Sequence, residues 1–146
     1  MIYKEIESYF ESKEKTEKLL TMYEPTFLDI DLIDEKSKNN EIESEENINK
    51  IISQLNSMAN VCSRISSIAG TYKTGEQTRL EYTKIQNADK KVNMTQLKAE
   101  ASYEVHYLRR VRNLFNTYAE SAGRALSTYK AKLFYTRKQT PKEEEN

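Results

Sequence analysis

The chain has 146 residues, of which 32 % are charged, with 23 Lys+Arg balancing 23 Asp+Glu, and it holds three glycines, two prolines and one cysteine. So few turn formers exclude a many-stranded all-β fold, one cysteine excludes an intramolecular disulfide or a cysteine-rich metal site, and no apolar run nears the ~18 residues of a membrane span. The mean hydropathy of −0.85 suits an all-α domain of long amphipathic helices in a reducing, cytoplasmic setting, where such helices complete their burial by forming a homo-oligomer.

The opening "MIYKEIESYF" places acids where a secretory signal has a basic region and an apolar block. Ile2, Ile6, Tyr9, Phe10, Leu19, Leu20 and Tyr23 fall near helical spacing, predicting a first helix over 2–23 that stops at Glu24, ahead of Pro25. In "FLDIDLIDE", Ile30 and Leu32 alternate with Asp29, Asp31 and Asp34, which predicts an extended segment: a strand on a neighbour's edge or a strap over a groove. Residues 1–34 thus form an acidic N-terminal region, and 35–47 a polar linker.

A helical core is expected over 48–138. Ile48, Ile51/Ile52, Leu55, Met58/Ala59, Cys62, Ile65, Ala69 and Tyr72 recur at alternating threes and fours, a heptad seam. "YKTGEQ" is expected to end this helix, with Gly75 in the left-handed position after its last turn, and a shorter helix follows from Thr78 to Gln86. Asn87 or Asp89 in "NADKKV" then caps a long helix to Lys138, whose seam runs through Leu97, Ala101, Val105, Leu108, Arg112, Phe115, Ala119, Ala122, Leu126, Tyr129 and Leu133. Fifty residues in one helix span roughly 75 Å. The chain alone does not cover such a length, so the helix bends at Ser121–Gly123 or packs on copies of itself. Residues 139–146 form a disordered acidic tail.

Catalytic and metal chemistry fail on inventory. His106 is the sole histidine, which removes two-histidine metal motifs, and Cys62 sits at a seam position as a small buried hydrophobe. Gly70, Gly75 and Gly123 have no phosphate-loop spacing, and "DIDLIDE" lacks the glycine of a calcium loop. No enzyme, cofactor or metal is expected.

Charge is unevenly placed. Residues 1–50 hold seven lysines against fourteen acids (net −7), and residues 60–142 sixteen Lys+Arg against six acids (net +10). Either the basic part meets an anionic partner or the acidic part folds over it. "YEVHYLRRVRNLFNTY" (Tyr103–Tyr118) interleaves Arg109, Arg110 and Arg112 with tyrosines; Lys90, Lys91 and Lys98 extend the charge upstream, and Arg124, Lys130 and Lys132 downstream. Arg112 occupies an inner heptad position, where it needs an acidic group, a water-lined channel or a ligand. Cations among aromatics suit single-stranded nucleic acid, whose phosphates take the charge and whose bases stack on rings. The plainer reading is a solvated helix flank in a structural helical oligomer, such as a virion or scaffold component.

The order of features resembles a known family. The acidic "DIDLIDE", a helix ending in a Tyr-x-Thr-Gly turn ("YKTG"), "ADKKV" opening a long helix that contains "SYEVHYL", and then "ESAGRALSTYKAKLF" together resemble the recombination mediator proteins of tailed phages, the UvsY type, over residues 27–135. That resemblance implies a helical ring-like homo-oligomer in the host cytoplasm. It would bind single-stranded DNA and load a RecA-like recombinase onto strands held by a single-strand-binding protein. Family members carry a Lys-x-Arg pattern where this chain reads "SSIAG" (Ser66–Gly70), with no cation; Arg64 and Lys73 flank the gap. The expected nucleic-acid face therefore rests on charge and ring placement: Arg64, Lys73, Lys90, Lys91, Arg109, Arg110 and Arg112 for the backbone, and Tyr72, Tyr103 and Tyr107 for stacking.

Overall fold

The computed structural model describes residues 3–88 and 93–139, and among these every regular element is helical. Helix α1 (Tyr3–Ser8) leads into a short 3-10 turn (Tyr9–Glu11); α2 covers Lys13–Ser37, α3 Glu45–Asn87, α4 Met94–Glu104 and α5 His106–Gln139. Lys90, Lys91 and the N-cap candidate Asp89 lie outside the described residues, as does the tail from 140 onward.

The first helix is broken earlier than its pattern predicts, at Ser12, whose backbone is extended (φ −152°, ψ 161°). Ser12 then caps α2, its hydroxyl accepting from the Lys15 amide at 3.2 Å. Helix α2 does not stop before Pro25 but carries it inside, and "FLDIDLIDE" is helical rather than extended. Proline removes the N–H that would reach the Thr21 carbonyl. Burial offsets that loss: Phe27 is 7 % exposed and Ile30 is fully buried, while Leu28 and Leu32 point outward at 62 % and 64 %. The two-residue alternation in this segment is thus incidental to a helical face.

The polar linker contracts to residues 38–44, and α3 starts at Glu45 with Ser44 as its cap, the hydroxyl accepting from the Asn47 amide at 3.2 Å. Helix α3 does not end at "YKTGEQ": Gly75 is not left-handed, and the proposed short helix over 78–86 is its continuation. Hydroxyls of Thr74 and Thr78 donate to the carbonyls of Gly70 and Thr74 at 3.0 and 2.9 Å, satisfied within the helical backbone. Asn87 closes α3, and the cap of α4 is Asn93, which accepts from the Thr95 amide at 2.9 Å. The long C-terminal helix is interrupted at Val105 (φ −100°, ψ 9°), while α5 passes through Ser121–Gly123 without a break. Burial of Val105 and Leu108, at 2 % and 0 % exposure, holds the interruption in place.

Two compact units emerge, each assembled from separate stretches: residues 1–23 with 63–116, and 24–62 with 117–146. In the first, Ile6, Phe10, Leu19, Ile65, Ala69, Leu108 and Phe115 form the core. Tyr23 meets Phe115 edge-on at 5.4 Å, and Phe10 tilts against Tyr72 at 5.9 Å. In the second, Phe27, Ile30, Ile48, Leu55, Cys62, Ala122 and Tyr129 are buried. There Phe27 stacks on Tyr118 at 4.2 Å, and the Tyr118 hydroxyl donates to Asp31 at 3.1 Å. Lys36 pairs with Glu43, Lys132 donates to the Asn39 carbonyl, and Arg137 pairs with Glu45, each at 2.8 Å, tying down the 38–44 connection. Much of the α5 seam is therefore covered by the chain's own helices, with neither the bend at Ser121–Gly123 nor a neighbouring copy needed to bury Leu108, Phe115, Ala122 and Tyr129.

Candidate nucleic-acid interface

The first unit brings together cations distant in sequence. Ser66, Gly70 and Lys73 share one face of α3, being four and then three residues apart. Arg112 of α5 lies across that face. Its backbone carbonyl accepts from the Ser66 hydroxyl at 2.9 Å, and a Cβ on Gly70 would stand 3.2 Å from its Cδ. The small residues of "SSIAG", which bring no cation of their own, thus make room for one delivered by α5.

Arg109, three residues before Arg112, faces the same way and joins it beside Lys73. Burial, and then the Arg109 and Arg112 guanidiniums, hold the Lys73 ammonium below the ordinary lysine value. Arg109 donates to Ser102 at 3.4 Å, and Arg112 to the Asn113 amide oxygen at 3.1 Å; neither they nor Lys73 has an ion pair among the described residues. Three half-buried cations thus lie together with no ion-paired carboxylate among the described residues.

Other expected site residues fall elsewhere. Arg64 is exposed on α3, about half a turn around the helix from Lys73. Arg110 is exposed and lines a separate groove with Lys13 and Tyr103. Tyr72 and Tyr107 are committed to packing: Tyr72 lies against Phe10, and Tyr107 donates to the Phe10 carbonyl at 2.9 Å. Burial raises both phenols above the ordinary tyrosine value. Tyr103, 78 % exposed, is the ring of the three left open to a ligand. Further along, Arg124 donates to Ser121 at 3.0 Å and Lys132 to Asn39, so both serve local structure. Lys13 and His106 border the groove and were not singled out by charge pattern. Lys13 lies in the acidic part of the chain, and its contribution depends on how α2 packs.

Cys62 is fully buried, and burial pushes its thiol up to about 11, as befits a core residue. Among the described residues no cluster of His, Cys, Asp and Glu fits a metal ion, and no helix is long and apolar enough to cross a membrane. No family model, no curated protein and no solved structure matches the chain.

Proposed function

We propose that this protein binds single-stranded DNA through the Lys73–Arg109–Arg112 seat and works, without catalysis, as a recombination mediator. The observation that carries the binding is the convergence of those three cations with no ion-paired carboxylate among the described residues. Like charges gathered on two packed helices repel unless an anion sits among them, and a phosphate backbone supplies one per nucleotide. The mediator role, with a RecA-like recombinase and a single-strand-binding protein as partners and a homo-oligomer as the working form, rests on the order of features between residues 27 and 135. The test is fluorescence anisotropy with oligo-dT over a salt series: retention at low salt that falls steeply as salt rises supports the reading, and no retention at any salt overturns it.

A second reading, a structural helical oligomer without nucleic-acid binding, is favoured by apolar side chains exposed on the second unit: Leu28, Leu32, Ile42 and Phe134 are 62 %, 64 %, 96 % and 63 % exposed. Such surface suits protein contact. Sedimentation separates the two readings: an assembly unchanged by DNA that retains no oligonucleotide belongs to the second.

A further inference from the structure

We propose that a groove of the first unit, bounded by Lys13, Tyr103 and Arg110, seats one unstacked base of a bound single strand. This rests on the polyanion reading above and adds to it a place where the base, rather than the phosphate, is held.

The groove has a volume of about 260 Å³. That is below the roughly 300–1,000 Å³ of pockets that take drug-sized ligands, and it suits a single flat ring. Leu20 and Val111 supply an apolar floor, Tyr103 and His106 supply rings, and Lys13 and Arg110 supply positive charge at the margin. Glu17 adds one carboxylate to the lining. Neither Lys13 nor Arg110 is ion-paired among the described residues.

The interruption at Val105 creates this arrangement. Tyr103 belongs to the last turn of α4, while His106 and Arg110 stand one turn apart at the start of α5. Tyr103 keeps 78 % of its surface open at the edge of a cationic groove. An apolar floor, an open ring and two flanking cations match a nucleobase with a phosphate on either side. Stacking on such a ring strengthens binding without selecting a sequence. An acidic peptide without aromatic side chains would use the cations but bring no flat ring to stack on Tyr103.

The experiment compares oligo-dT with an abasic oligonucleotide of equal length, on the full chain and on Tyr103→Ala, by anisotropy at fixed salt. Expected is tighter binding of oligo-dT than of the abasic strand, with Tyr103→Ala weakening oligo-dT about tenfold and leaving the abasic strand unchanged. Lys13→Gln with Arg110→Gln weakens both strands alike. Equal affinity of the wild type for the two strands, or equal losses for both in Tyr103→Ala, overturns the base seat while phosphate binding stands. Failure to bind either strand overturns both readings. An iodouracil-substituted strand gives a second readout: its photocrosslink is expected on Tyr103 or His106, and a crosslink confined to other helices contradicts the assignment.

Discussion

Arg112 crosses α3 over Gly70, with its Cδ 3.2 Å from where a Cβ on that glycine would lie, whereas a Cβ on Gly75 meets nothing within 4 Å among the described residues. The two glycines are interior to one helix and differ in this respect. Replacing an interior glycine with alanine stabilises a helix by about 0.8–1 kcal/mol. Gly75→Ala is expected to gain that amount in urea unfolding and to leave DNA affinity unchanged. Gly70→Ala gains less, because the Arg112 stem has to yield by a few tenths of an ångström. Gly70→Leu keeps the helix by circular dichroism but displaces the guanidinium, lowering DNA affinity as Arg112→Ala does. Unchanged affinity in Gly70→Leu would remove Gly70 as the residue that positions Arg112.

Neutralising Lys73, Arg109 and Arg112 together with glutamine separates binding from folding. Three lost phosphate contacts at about 0.7 each reduce the log–log salt slope by about 2. Stability is expected to match or exceed the wild type, since repulsion on Lys73 is relieved. A salt slope equal to that of the wild type contradicts the seat.

Alkaline pH destabilises the fold from about pH 9. Folded Cys62 keeps its proton to about 11, while the unfolded thiol releases it at the ordinary 9.0. The stability tied to that proton is complete below 9 and lost as pH rises toward 11, a loss of up to about 3 kcal/mol at 1.36 per pH unit. Tyr72, Tyr107, Tyr118 and Tyr129 act with the same sign above pH 10.0, each phenol being raised chiefly by burial. Lys73, held below its ordinary value, opposes them. The check is the urea midpoint across this range, with Cys62→Ala expected to flatten the part between 9 and 10.

Pro25 is exposed inside α2, so its removal tests whether that helix is continuous in solution. Pro25→Ala restores an N–H to the Thr21 carbonyl and is expected to stabilise by about 1–3 kcal/mol. A lowered midpoint would mean that the chain uses a break there.

What the sequence revealed follows from the range of each interaction. The α3 seam was legible because Ile48, Leu55, Cys62, Ile65 and Ala69 repeat on one face, and all five are buried. Around Pro25, a strong local rule competed with a weak pattern. Phe27 and Ile30 already stood at helical spacing, but the alternation of Ile30 and Leu32 with Asp29, Asp31 and Asp34 suggested a strand. The break at Val105 carries no glycine or proline, so nothing local announced it. The cation seat joins Lys73 to residues more than thirty positions away, and the trace it left is the Ser66, Gly70, Lys73 stripe of small side chains ending in a charge.

Each unit is discontinuous in the chain: residues 1–23 complete a body whose remainder begins at 63, and 24–62 complete one whose remainder begins at 117. Deletion mapping is therefore a poor way to locate a determinant in this protein. Any single cut between residues 24 and 116 leaves both fragments with incomplete bodies, and a truncated product that fails to bind reports lost folding rather than a lost contact. Point substitutions on the outer surface, or complementary halves expressed together, are the dissections this architecture permits.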